Sequence, residues 1–323
     1  MIVALDETGD FRDPKGKKFG LVTLVTITDS EWDKFSAFMA TIFPSGFAGV
    51  KGKTLTKEQR GRILKYIGKK PEIKYTTTLY DLSGGSDDWV NYHKNETVRR
   101  ADASIEAMKA KLQPSYIKDI RLYLNQLKNY SVGDYAKFVM YTELFIEWQK
   151  FFQFDYFYTH IKNDAWRLHH ILDTQNQPNK FIRLIQATMI LTTSELNPSY
   201  GIYTPQEWLK DHPFIKYHSH EGDINRHDAR KFYEDFRIGD EKSEPALFLP
   251  DFIGYTIYNS ILNRNTNEWL MNLKRLLQNR SLTMTNKQRN PANYYIISGF
   301  DKAKDPKDVN PIVKEHWRLM KAL

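Results

Sequence analysis

Two adjacent carboxylates, Asp6 and Glu7, close the apolar run Ile2-Val3-Ala4-Leu5 and are followed by Thr8, Gly9 and Asp10. Two more acids end apolar runs far down the chain. Asp173 follows Leu168-His169-His170-Ile171-Leu172, and Asp251 follows Leu247-Phe248-Leu249-Pro250. Each has an ordinary local reading. An acid after a strand is a turn residue, and an acid behind a proline suits the positive end of a helix. The alternative is that distant segments bring these carboxylates together to hold a hard divalent cation through oxygen ligands.

Histidines form a second group. His212, His218, His220 and His227 stand among Glu221, Asp223 and Asp228. A zinc or manganese site, a substrate-contacting or acid/base role, and a plain polar loop all fit, because the spacing matches no standard metal pattern. His218 and His220 would share a face of a strand. His169 and His170, near Asp173, read either as catalytic helpers or as one core-facing and one solvent-facing strand residue. The aromatic run from Phe138 to Tyr158 reads as helix core or as a base-stacking platform. Ser83-Gly84-Gly85-Ser86 lacks the Gly-Lys-Ser/Thr of a phosphate loop, and no G-x-S-x-G is present, so nucleotide-loop and acyl-hydrolase chemistry are not indicated.

The elements that would position these groups follow from periodicity. Residues 2–5, 19–27 and 72–82 read as strands rich in Val, Thr, Ile, Leu and Tyr. A helix starts near Asp29, with Trp32, Phe35, Phe38 and Met39 at helical spacing, and another at Thr56. Residues 83–153 change character and read as a helical insertion. Trp89, Val98, Ile105, Met108 and Leu112 fit one helix, and Phe138, Tyr141, Leu144, Phe145 and Trp148 fit another. Strand character resumes at 154–161 and 168–172. Helices are expected at 179–194 and 252–262.

Composition bounds the class. The 323 residues can bury a substantial core, and 41% apolar with 14% aromatic residues is a folding composition. There is no cysteine, so disulfide scaffolds and thiolate metal sites are excluded. No stretch reaches the ~18 apolar residues of a membrane span, and the opening residues lack an apolar leader core. The expectation is a soluble, cytoplasmic protein with no membrane partner. The net charge is +8, and residues 271–323 hold eleven Lys/Arg against four Asp/Glu. This basic C-terminal extension, including Lys274 and Arg275, suits a nucleic-acid backbone or an acidic protein partner.

The stretch VALDETGDF with the following FGLVTLVTI resembles the opening of the domain-of-unknown-function-3800 family, whose first strand ends Asp-Glu-Ser-Gly. Thr8 stands for the Ser and keeps the hydroxyl. Lys51-Gly52-Lys53-Thr54-Leu55, ahead of Arg60 and Leu64, resembles the family's Lys-Gly stretch. ILDTQNQP at Asp173 and LPDFIGY at Asp251 resemble its later strand end and its Ala-Asp-Leu-Ile-Ala-like helix start. The resemblance covers roughly residues 1–82 and 154–262. Gly49 and Val50 precede the Lys-Gly pair where the family often has an acid, and Pro250 replaces its usual Ala.

The resemblance implies an α/β fold, an RNase H-like mixed sheet flanked by helices, over residues 1–270. The helical insertion interrupts it at 83–153, and residues 271–323 form the basic extension. It also implies a metal-dependent nuclease on DNA or RNA, in a phage-defence or mobile-element setting. Asp6, Asp173 and Asp251 would bind Mg²⁺ or Mn²⁺, and Glu7, as part of the motif, is favoured over Glu195 and Glu221 as a fourth catalytic carboxylate. Lys51 and Lys53 would contact substrate, and the charge of the C-terminal extension, outside the resemblance, adds Lys274 and Arg275. A residue next to Asp6 on a strand points to the opposite face, which argues against Glu7 unless the strand ends between them. The competing reading is a non-catalytic nucleic-acid-binding or partner-binding protein on the same fold.

Overall fold

A computed structural model of the chain describes residues 1–9, 19–70, 72–81, 87–110, 114–151, 169–173, 218–221, 224–227, 236–240, 242–263, 272 and 294–298. It is a mixed α/β structure. The described elements are β1 (Ile2–Gly9), β2 (Phe19–Ile27), α1 (Asp29–Ala40), a 3-10 turn (Gly52–Thr54), α2 (Lys57–Ile67), β3 (Ile73–Asp81) and helices α3 (Asp87–Met108), α4 (Pro114–Lys128) and α5 (Val132–Phe151). Then come β4 (His169–Asp173), β5 (His218–Glu221), β6 (Ile224–His227), β7 (Phe236–Gly239), a 3-10 turn (Pro245–Leu247), α6 (Phe248–Leu262) and β8 (Tyr294–Ser298).

Six strands form one sheet in the order β7-β4-β1-β2-β3-β8, and β5 and β6 pair separately. β1 lies inside it, antiparallel to β2 and parallel to β4. β2 is antiparallel to β3, while β8 and β7 run parallel to β3 and β4. β8 lies within the expected C-terminal extension, so a boundary at 270/271 does not separate that segment from the sheet.

Strand alternation divides the sheet residues between two faces. Leu21, Val25, Ile27, Ile73 and Tyr75 lie on one face and pack with Phe35 and Met39 of α1, Ile63, Leu64 and Ile67 of α2, and Phe248, Phe252, Ile253 and Ile257 of α6. Phe35 anchors this layer, meeting Phe47 and Tyr66 edge-on at centroid distances of 6.1 and 5.6 Å. Each such buried side chain contributes about 1.5–3 kcal/mol. Val3, Leu5, Val22 and Leu24 lie on the opposite face and are also buried. There α5 packs across β2 and β3. The helical insertion therefore covers a face of the sheet.

Caps define the helices beside the site. Thr28 accepts from Glu31 N–H at the start of α1. Thr56 and Gln59 form a reciprocal capping box on α2. Pro250 lies in the first turn of α6, where its missing N–H costs no helical bond.

Helix α4 was not expected. The periodic pattern through Leu112 reads as one helix, but α3 ends at Met108 and a new helix begins at Pro114. The expected strand at 154–161 and helix at 179–194 lie outside the described residues. No described helix is long and apolar enough to cross a membrane.

Candidate active site

Asp6 is 2% exposed, on the face of the sheet covered by α6. The backbone N–H of Glu7 donates to Asp6 Oδ1 at 2.7 Å and fixes that oxygen. Across β2 and β3 the positions opposite are Thr23 and then Thr77, both buried, with Oγ1 atoms 3.2 Å apart. A polar lane, Asp6–Thr23–Thr77, thus crosses an otherwise apolar layer.

Helix α6 lies against this lane. A Cβ built on Gly254 would stand 2.5 Å from Thr8 Oγ1 and 3.1 Å from Thr23 Oγ1. Only a residue without a side chain allows this approach. Thr8 Oγ1 is buried and has no hydrogen-bond partner among the described residues. One turn earlier on α6 is Asp251, whose Oδ2 accepts from the backbone N–H of Gly52 at 2.6 Å. Gly52 is also closely packed, since a Cβ there would lie 3.1 Å from Tyr255 Cβ. The 3-10 turn carrying Lys51 and Lys53 is therefore fastened to the head of α6. Lys53 is exposed and Lys51 half-buried.

Asp173 enters through register. The β1–β4 ladder pairs Leu5 with Leu172, so Asp6 and Asp173 follow at adjacent positions on parallel neighbours. Neighbouring strands lie about 4.8 Å apart. Asp173 also pairs with Gly239 of β7.

Glu7 does not join Asp6. β1 continues through Gly9, with Glu7 paired to Val22, so the two acids alternate across the sheet. Glu7 Oε1 instead accepts from Lys137 Nζ of α5 at 2.6 Å. Both side chains are largely buried, 14% and 17% exposed. Glu7, the fourth carboxylate that the motif favours, is thus not on the Asp6 face, because the strand does not end between them. The strand's continuation puts Glu7 on the insertion's side.

Asp6, Asp251 and Thr8 offer only oxygen donors, the kind Mg²⁺ and Mn²⁺ take, and the Thr8 hydroxyl has no hydrogen-bond partner among the described residues. Among the described residues, no three His, Asp or Glu side chains group together as a metal site. Glu195, Lys274, Arg275, His212, Asp223 and Asp228 lie outside the described residues. His218 and His227 occupy opposed positions in the β5–β6 ladder, and His220 opposes Asn225. Residues 218–221 and 224–227 are paired strands where a plain polar loop was one expectation. Phe138, Tyr141 and Leu144 are buried, which assigns this part of the aromatic run to core.

Three features of the site were absent from the sequence reading: Gly254 against Thr8, Lys137 on Glu7, and the Gly52 clasp on Asp251. A glycine four residues into an otherwise apolar helix start was the available signal for the first. No family model, curated protein or solved structure matches the chain.

Proposed function

We propose that this protein is a metal-dependent nuclease of RNase H-like fold that hydrolyses phosphodiester bonds in DNA or RNA. Asp6, Asp173 and Asp251 are its metal-binding carboxylates. The observation that carries the reading is the meeting of β1 with two other segments. β4 brings Asp173 to the register position beside Asp6, and α6, headed by Asp251, packs on the face that Asp6 occupies. The mixed sheet with β1 inside it and helices on both faces supports the fold assignment.

Bound Mg²⁺ or Mn²⁺ would neutralise the clustered carboxylates and supply Lewis-acid activation of water and phosphodiester. The chain's own contribution is positioning. Glu7 N–H holds Asp6 Oδ1 and so orients the carboxylate. Gly52 N–H holds Asp251 and keeps the turn bearing Lys51 and Lys53 beside it. These lysines bind and orient a substrate phosphate. Burial of Asp6 and of the Thr23–Thr77 lane limits water at Asp6, which strengthens electrostatic interactions there.

The test is a nicking assay on plasmid, single-stranded DNA and RNA with Mg²⁺ or Mn²⁺. Wild type cleaves, EDTA abolishes cleavage, and Asp6→Asn, Asp173→Asn and Asp251→Asn each lose at least ~100-fold, the scale of a displaced metal ligand. Wild-type rates in both Asp6→Asn and Asp251→Asn refute the assignment. Metal-independent binding without cleavage by the wild type supports the non-catalytic reading instead.

A further inference from the structure

The C-terminal extension is one of two concentrated basic blocks. Residues 51–70 carry eight Lys/Arg and one Glu, a net of +7, equal to the net of residues 271–323. Since the whole chain is +8, the remainder is net acidic. The first block occupies the Gly52–Thr54 turn, α2 and the turn after it.

Its members have different environments. Lys70 pairs with buried Glu31 at 3.2 Å, and Arg60 donates to Leu55 O. Ile63, Leu64 and Ile67 form the buried face of α2. At 3.6 residues per turn the opposite side carries Glu58, Arg62 and Lys65, Lys69 follows in the turn after the helix, and all four are exposed. Among the described residues Arg62, Lys65 and Lys69 make no ion pair, nor does exposed Lys53. Arg62 reaches only the Thr41 hydroxyl, at 3.2 Å. The helical insertion differs. There Arg99 and Arg100 pair with Glu96, and Lys109 and Arg121 with Glu106. Those four cations are paired with acids, whereas Arg62, Lys65 and Lys69 have no acid beside them among the described residues.

We infer that the outer face of α2 binds the sugar-phosphate backbone of a nucleic acid and leads it toward Asp251. Arg62 to Ile67 rises about 7.5 Å at 1.5 Å per residue, and Lys69 in the turn just past the helix end extends the row to about 10 Å. That matches the rise of about three nucleotides at 3.4 Å each along one strand. The turn that precedes α2 is hydrogen-bonded to Asp251 through Gly52, so the stripe continues from the candidate site. Glu58, the one acid on the stripe, weakens phosphate contact at the end nearer the turn. No base edge is read by such contacts, so binding is independent of sequence. This surface deepens the nuclease reading by naming where its substrate lies, but it binds whether or not cleavage occurs.

The test is fluorescence anisotropy with the full chain carrying Asp6→Asn, using labelled single-stranded DNA, RNA and duplex DNA at salt from about 50 to 200 mM. Arg62→Glu/Lys65→Glu/Lys69→Glu loses at least ~10-fold in affinity. The slope of log K against log salt falls by roughly 2 to 3, the value for three lost phosphate contacts. Arg62→Gln/Lys65→Gln/Lys69→Gln behaves similarly and guards against effects of the new acids. Lys109→Glu/Lys118→Glu/Lys128→Glu, an equal charge change on the insertion, leaves affinity within about twofold. The inference is overturned if the α2 variants bind with wild-type affinity and slope, if the insertion variant loses as much, or if poly-glutamate binds as tightly as nucleic acid. The separate nicking assay of the wild type distinguishes these outcomes from failure of the nuclease reading.

Discussion

Gly52 and Asp251, 199 positions apart, are joined by a 2.6 Å hydrogen bond from the glycine N–H to the carboxylate Oδ2. The bond serves structure as well as the candidate chemistry, and the two roles separate by mutation. Asp251→Asn keeps an acceptor oxygen. Asp251→Ala leaves the Gly52 N–H without this acceptor, at a cost of about 1–3 kcal/mol. Urea unfolding therefore shows the Ala variant less stable than the Asn variant, while both lose metal-dependent cleavage. Equal stability of the two would mean that the clasp contributes nothing.

Gly254 tests the closeness of α6 to the site. In an ordinary helix Gly→Ala stabilises by about 1 kcal/mol. Here the new methyl lies 2.5 Å from Thr8 Oγ1, so Gly254→Ala destabilises by about 1–3 kcal/mol through overpacking. Thr8→Ala alone is near neutral, because that hydroxyl has no hydrogen-bond partner among the described residues. The double variant recovers most of the loss. Additive rather than compensating effects in this cycle would show that the contact is not the cause.

His93 gives a pH-dependent prediction. Its Nδ1 is 2.7 Å from Tyr135 OH, which also meets Thr97 Oγ1 at 2.8 Å. Burial, and then the charge of Arg100, hold the His93 pKa below its ordinary 6.5. The unfolded chain thus binds this proton at higher pH than the folded one. The stabilisation is complete above pH 6.5 and is lost as pH falls from there toward the folded pKa. His93→Gln keeps a hydrogen-bonding group but cannot titrate. Between about pH 7.5 and 5.5 the urea midpoint falls more for wild type than for the variant. Parallel falls would exclude His93 as the source.

Local pattern made much of the framework legible. The β-branched run at 19–27, the Thr56 start of α2 and the phenylalanines of α1 each state their element, because one face of each is buried. β1 was read as ending at Leu5, since acids are poor strand formers. Pairing of Asp6 with Thr23 and Glu7 with Val22 extends it to Gly9, a tertiary effect that no local window contains. Helix α4 had a usable signal in Ile117, Ile120, Leu124 and Leu127 at helical spacing, with Pro114 at its first position. Neither signal was used, and the expected single helix ran through Leu112. Candidate carboxylates were legible as acids at the ends of apolar runs. Their supports were not, because Gly52, Gly254 and Lys137 act across the fold and carry no motif of their own.

Lys137 and Glu7 supply the last prediction. Their 2.6 Å pair is largely buried and ties α5 of the insertion to the residue whose N–H holds Asp6. Breaking a largely buried pair is costly, so Lys137→Met and Glu7→Gln each destabilise by about 1–3 kcal/mol, below the 3–5 of a fully buried pair. The double variant costs less than the sum. Because Glu7 faces α5 while Asp6 faces α6, Glu7→Gln retains Mn²⁺ binding by calorimetry, whereas Asp6→Asn loses it. Lys137→Met keeps the same Mn²⁺ affinity with a reduced cleavage rate, since Asp6 is then less firmly oriented. Loss of Mn²⁺ affinity in Glu7→Gln equal to that in Asp6→Asn would make Glu7 a ligand and remove the division of the two acids between the faces.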